Sequence, residues 1–238
     1  MHAPRALFFD VFGTLVDWRS GVAREAGRLL TPLCAAGAAV DWEAFADAWR
    51  AQYQPAMEEV RSGQLPFSKL DVLHRRILDR ILGRFGLDHV DEATRRELNL
   101  AWHRLDAWPD VAAGLERLRR KFLIAPCSNG NVSLMVDLAR RNGFAWDAIV
   151  GAELARDYKP KAAVYLSAAA ALDCEPGQAL MVAAHSSDLS AAAAAGLRTA
   201  FVARPDERGP GRGEACATVP VDLSVPDLSA LADQLGCD

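Results

Sequence analysis

The chain opens with a four-residue apolar run, Ala6-Leu7-Phe8-Phe9, that stops at Asp10. A short continuous run bounded by a polar residue reads as a strand buried on both faces. Gly13 supplies a turn, and the pattern then changes. Trp42, Phe45, Trp49, Tyr53, Met57 and Val60 recur at intervals of three and four. That spacing puts them on one face of a long helix starting at an Asp41 cap. Leu70, Leu73, Ile77, Ile81 and Phe85 mark a second helix, which Gly86 ends. Asp91 to Leu105 gives a third, with Leu98, Trp102 and Leu105 inward. No strand alternation interrupts this block.

Trp108-Pro109-Asp110 closes the block, and strands then alternate with helices. Helices are expected over residues 110–120, 132–141, 162–172 and 189–195. Strands are expected at 122–125, leading into Ser128-Asn129-Gly130, and at 148–150, 179–183 and 199–202. Such alternation predicts a parallel sheet with helices on both faces. The expected fold class is therefore α/β: a doubly wound parallel sheet, a Rossmann-like core, with an inserted helical cap domain. The core is expected over 1–16 and 107–238 and the cap over 17–106. Arg204 to Gly213, rich in Gly, Pro and charge, reads as a mobile loop.

Composition narrows the class. Of 238 residues, 51% are hydrophobic and 24% charged, enough for a buried core and against wholesale disorder. The net charge of −4 offers no basic surface for nucleic acid or a membrane. The longest apolar runs, residues 179–184 and 191–195, fall far short of the ~20 residues of a membrane helix. The five cysteines are odd in number, widely spaced and without a CxxC pair, which argues against a disulfide framework or zinc site. With no signal-peptide pattern at the start, the reading is a cytoplasmic protein with reduced thiols. Cys127 reads as a small buried hydrophobe.

Candidate chemistry lies where the strands end, because open parallel sheets hold ligands outside their carboxyl edge. Four loops begin there. They carry Asp10 and Thr14; Ser128 and Asn129; Lys159, in Asp157-Tyr158-Lys159-Pro160; and His185, Ser186, Ser187 and Asp188. Taken singly, these are a turn former, an ordinary turn and a surface lysine. Their joint spacing over alternating elements makes a reaction centre.

Phe9-Asp10-Val11-Phe12-Gly13-Thr14-Leu15 resembles the first motif of the haloacid dehalogenase superfamily. Ser128-Asn129, Lys159-Pro160 and the loop ending in Asp188 resemble its second, third and fourth motifs, in order, and the helical insertion resembles its mobile cap. In members that hydrolyse phosphate esters, a second Asp stands where this chain has Phe12, and protonates the leaving alkoxide. Phe12 cannot donate a proton, whereas a halide leaves as a stable anion without one. Between Met181 and Val202 the chain offers one carboxylate, Asp188, with Ala183 and Ala184 where magnesium-binding members carry another. Both departures resemble the L-2-haloacid dehalogenase (type II) branch.

That resemblance implies metal-independent hydrolytic dehalogenation of short (S)-2-haloacids to 2-hydroxy acids through an aspartyl ester, with no cofactor and no metal. Asp10 is the implied nucleophile, Lys159 holds it ionised, and Thr14 and Ser128 donate hydrogen bonds. Asp188 positions or activates the hydrolytic water. Arg50 meets the substrate carboxylate or the departing halide, Asn129 donates to the halide, and Val11 and Phe12 keep the pocket apolar. Tyr165 fits the branch pattern; its other reading is a core aromatic. Arg50 has a plain reading too, as an ion-pairing residue of an amphipathic helix. His185 stands open as a halide donor, a partner of Asp188 or a strand-end histidine; as a donor it would matter most for fluoride. The implied partners are a small halogenated carboxylic acid and water, with no nucleic acid and no membrane, and a homodimer. Two other functions stay open: a magnesium-dependent small-molecule phosphatase, for which Asp17 is a spare acid, and a noncatalytic binding protein.

Overall fold

A computed structural model describes residues 4–35 and 39–238. The chain divides into two compact units, one of Asp106–Asp238 with the segment up to Asp17, the other Trp18–Leu105.

The first unit is built on eight strands: β1 (Ala6–Phe9), β2 (Val16–Asp17), β3 (Asp106–Ala107), β4 (Leu123–Ser128), β5 (Val150–Gly151), β6 (Ala179–Ala183), β7 (Arg198–Val202) and β8 (Leu223–Val225). Six form a parallel sheet in the order β5-β4-β1-β6-β7-β8, with β1 between β4 and β6. The helical unit contributes α1 (Trp18–Leu30), α2 (Trp42–Ala51), α3 (Tyr53–Arg61), α4 (Leu70–Ile81) and α5 (Glu92–Asn99). The sheet unit contributes α6 (Val111–Arg119), α7 (Val132–Asn142), α8 (Ala152–Ala155), α9 (Ala162–Ala171), α10 (Ser186–Ala194) and α11 (Leu228–Gln234).

All four residues of β1 are fully buried. Ala6 and Phe8 pack with Met181 of β6, Val164 and Ala168 of α9 and Leu189 and Ala192 of α10. Leu7 and Phe9 point the other way, because strand side chains alternate. A central strand covered on both faces is what an uninterrupted apolar run requires.

The sequence stops β4 at Ala125, before Pro126, yet the strand runs on to Ser128. Leu123 N donates to Arg5 O on one side of β4, and Ile124 N donates to the Asp147 carboxylate on the other. By alternation Pro126 faces the same side as Ile124. There β5 starts pairing only opposite Cys127, so the missing N–H interrupts no ladder bond.

Several elements depart from expectation. The long helix from Asp41 is two helices, broken at Gln52. The break puts Pro55 in the first turn of α3, where an N–H would have no intrahelical acceptor. Asp41 caps α2 as expected, accepting from Ala44 N at 2.9 Å. The third helix is α-helical only to Asn99 and continues as a 3-10 turn to His103. The fourth-motif helix starts at Ser186 rather than Leu189, which places Asp188 in its first turn. α1, α8, α11, β2, β3 and β8 are additional. β2 and β3 pair antiparallel, with Asp17 opposite Asp106.

The segment after β7 is also not the free loop its composition suggested. Arg204 Nε donates to Thr14 O at 2.9 Å and Nη2 to Asp110 Oδ2 at 2.8 Å. Arg204 N is bonded to Glu214 O, and Gly213 N to Pro205 O.

Within the helical unit the core is aromatic. Trp49 meets Trp102 edge-on at 5.6 Å and donates Nε1–H to His74 O at 3.0 Å, and His74 stacks on Trp102 at 4.2 Å. Burial lowers the His74 ring to about 3, so it packs as a neutral aromatic. Trp18 stacks on Trp102, and Trp42 packs edge-on against Phe45. Among the described residues no helix is long and apolar enough to cross a membrane.

Gly151 closes β5 beside β4 with φ of 123°, and a Cβ there would lie 2.6 Å from Ser128 N and closer still to Ser128 O. Gly151→Ala is expected to destabilise the protein by about 2–4 kcal/mol through strain and backbone overlap. Denaturant titration against the wild type measures it.

Candidate active site

The four loops converge at the carboxyl edge of the sheet because β5, β4, β1 and β6 are successive neighbours and parallel. Asp10 follows β1 directly. Its N–H donates to Val182 O at 3.0 Å, so its backbone still belongs to the ladder and its carboxylate projects from a rigid base. Gly13 (φ 86°) turns the chain back, and Thr14 Oγ1 donates to Asp10 Oδ2 at 2.8 Å. The same hydroxyl accepts from Ala184 N at 2.9 Å, which ties the β1 loop to the β6 loop. Ala184 is thus a buried backbone donor.

Lys159 is 6% exposed. Its Nζ lies 2.9 Å from Asp10 Oδ1 and 2.6 Å from Asp188 Oδ2. Its backbone N–H donates to Asn129 Oδ1 at 2.8 Å. That bond leaves the Asn129 NH2 as the end available to a ligand. Ser128 is fully buried, and its Oγ accepts from Gly130 N at 3.0 Å, which leaves its O–H as a donor. Tyr165 OH donates to Asp188 Oδ1 at 2.5 Å, so this aromatic is packed in the core and also orients a site carboxylate. Val11 and Phe12 are buried beside Asp10.

His185 is neither a partner of Asp188 nor a bare strand-end residue. Its Nδ1 is 3.1 Å from Asp10 Oδ2 and its Nε2 is 3.0 Å from Glu207 Oε2. Both ring nitrogens are thus engaged by carboxylates. Glu207 is the site residue that sequence reasoning missed. It lies in the segment read as a mobile loop, and a lone acid among Gly, Pro and Arg carries no signal. Arg50 lies on α2 in the helical unit, its guanidinium 4.0 Å from the Tyr53 ring centroid and 5.4 Å from that of Trp18.

The charges reinforce one another. Burial alone would raise the Asp10 carboxyl. The Lys159 ammonium and the His185 ring outweigh it and hold the group well below the usual carboxylate range. Burial works against the Lys159 charge, but Asp10 and Asp188 raise it well above the ordinary lysine value. Burial would also neutralise His185, but the hydrogen bonds to Asp10 and Glu207 raise it to about 10. Burial and then the Asp188 charge raise the Tyr165 hydroxyl, keeping it a donor. Burial pushes Cys127 up to about 12, which leaves it an inert thiol.

This is an α/β enzyme site organised around one permanently ionised aspartate, with donors on both of its oxygens and an apolar side chain two positions on. A family model described as haloacid dehalogenase-like hydrolase matches residues 4–196, and the chain belongs to that family. It is similar to (S)-2-haloacid dehalogenase 1 of Pseudomonas sp. (strain CBS-3), at 30% identity over 207 residues, 86% of each chain. Its fold matches the crystal structure of a defluorinating L-2-haloacid dehalogenase with a TM-score of 0.94, at 43% identity over 98% of this chain and 96% of the other. The L-2-haloacid dehalogenase of Xanthobacter autotrophicus, with chloropropionic acid covalently bound, matches at a TM-score of 0.81 and 25% identity over 98% of both chains.

The raised His185 value has a consequence for stability. Its contribution is fully present below the unfolded-state value of about 6.5 and is lost as pH rises toward about 10. Urea midpoints at pH 6.5 and 10 are expected to fall more steeply in the wild type than in His185→Asn.

Proposed function

We propose that this chain hydrolyses the carbon–halogen bond of short (S)-2-haloacids and releases 2-hydroxy acids. The observation that carries the reading is Asp10. Its carboxylate is buried, is held ionised by Lys159 at 2.9 Å, and is followed two residues on by Phe12 rather than an acid. A nucleophile held in its ionised form suits displacement of halide, which needs no proton from the enzyme. An alkoxide leaving from phosphorus would need one, and no acid stands at residue 12 to give it.

Asp10 attacks C2 with inversion, the carbon–halogen bond breaks, and halide leaves with its electron pair. The ester on Asp10 is then hydrolysed by water that Asp188 orients. Ser128 O–H donates to the substrate carboxylate and the Asn129 amide to the halide, and the family resemblance assigns Arg50 the substrate carboxylate or the halide. The reading requires no metal. Asp188 gives one oxygen to Lys159 and the other to Tyr165, and Asp10 gives its own to Lys159, Thr14 and His185. That donor set is committed to an ammonium bridge rather than left open to magnesium. The similarity to relatives named haloacid dehalogenases supports the substrate class. A cytoplasmic setting fits the five free cysteines, and the homodimer follows from the resemblance alone.

Chloride release from L-2-chloropropionate is expected to be unaffected by EDTA and to fall about 10⁴-fold or more in Asp10→Asn. Phosphate release from a generic ester with magnesium is the result that contradicts the reading. Fluoride release from fluoroacetate, read with an ion-selective electrode in the same series, is the expected extension, because one relative is described as defluorinating.

A further inference from the structure

Glu207 is more deeply buried than Asp10, at 2% against 9% exposed. The fold makes room for it. Its carboxylate occupies the space a side chain at residue 13 would fill, so Gly13 is needed for its turn and for this close approach. Arg204 fastens the segment to Thr14 O and Asp110, and Glu207 N donates to Arg204 O at 3.2 Å. The carboxylate is thereby aimed at His185 Nε2.

We infer that Glu207 is a positioning residue acting through His185: it holds the ring as an imidazolium with Nδ1–H on Asp10 Oδ2, which makes Oδ1 the attacking oxygen and Oδ2 the oxygen that carries the negative charge during ester hydrolysis. The inference rests on the reading of the chain as a dehalogenase.

The bonding around Asp10 supplies the argument. Among the described residues Oδ2 accepts from two donors, Thr14 and His185, whereas Oδ1 accepts from one, Lys159. A carboxylate oxygen has about two lone-pair directions, so Oδ2 is saturated and Oδ1 keeps one free to attack carbon. In the first step the Oδ1–C2 bond forms and the C2–halogen bond breaks. In the second, water adds to Cγ and its proton passes to Asp188. The electron pair of the carbonyl moves onto Oδ2, where Thr14 O–H and His185 Nδ1–H receive it. When the pair returns, Cγ–Oδ1 breaks and the hydroxy acid leaves on Oδ1, which Lys159 can protonate.

Glu207 matters most between the two steps. Esterification removes the negative charge of Asp10, the first of the two carboxylates that keep His185 charged. Glu207 remains, so the imidazolium persists while water attacks. The other charged groups nearby are Lys159 and Asp188 beyond Asp10, Arg208 at 3.7 Å from Glu207, Arg204 on Thr14 O, and Glu214, which accepts from Ser186 N at 3.0 Å. Among the described residues the ring itself hydrogen-bonds to Asp10 and Glu207 alone.

The test uses the full chain with ¹⁵N-labelled histidine. Wild type is expected to show both His185 ring nitrogens protonated at pH 8, and Glu207→Gln, which keeps an acceptor but removes the charge, to shift the His185 titration down by about one unit or more. In pre-steady-state runs at pH 8 with L-2-chloropropionate, E207Q should slow hydrolysis of the Asp10 ester about tenfold or more while ester formation changes far less. E207D should restore part of the loss. A neutral His185 ring in wild type at pH 8, an unshifted titration in E207Q, or equal slowing of both steps overturns the inference. Absence of any Asp10 ester in wild type defeats the dehalogenase reading instead, and the titration still judges the Glu207–His185 link alone.

Discussion

The Lys159 ammonium, buried between Asp10 and Asp188, is the interaction on which the rest of the molecule depends. An isolated charge at that depth would cost several kcal/mol. The two carboxylates offset this only because each distance is short and each remaining oxygen finds a donor. Thr14 and His185 complete Asp10, and Tyr165 completes Asp188. Removing Lys159 would leave two buried carboxylates facing each other with no ammonium between them. One of them would then protonate, and Asp10 would cease to be a permanent nucleophile.

The fold serves that arrangement. β1 sits in the middle of the sheet, so the loop after it is flanked by the loops after β4 and β6. Each flanking loop brings a backbone donor as well as side chains: Gly130 N binds Ser128 Oγ, and Ala184 N binds Thr14 Oγ1. Lys159 is held from its main chain by Asn129. The site is thus set by short bonds to rigid strand ends, the condition for placing charges within a few tenths of an ångström. The segment after β7 adds Glu207 from a fourth direction, braced by Arg204.

Asp10, Thr14, Ser128, Asn129, Lys159 and Asp188 were legible in the sequence through their joint, ordered spacing over alternating strands and helices, although Lys159 comes after the short helix α8 rather than directly after a strand. Tyr165 was half legible: its helix was evident, but nothing local says that its hydroxyl reaches Asp188. His185 was visible as a site residue and its partners were not, since Glu207 comes to it through the path of the chain. The break at Gln52 escaped because the apolar period runs straight through it, and only Pro55 hints at it. β2 and β3 are two residues each, too short for any period, and β8 is a three-residue run beside Pro226. These elements exist because tertiary partners stabilise them, which local pattern does not encode.

The central claim is that Asp10 bonds to the substrate carbon, rather than merely activating water. A single turnover in H₂¹⁸O, with enzyme in excess over L-2-chloropropionate, decides this. The account predicts a 2-hydroxypropionate whose new hydroxyl carries no label, and an Asp10-containing peptide heavier by about 2 Da, because water attacks the aspartyl carbonyl. Label in the product hydroxyl on that first turnover, with Asp10 unlabelled, would contradict it.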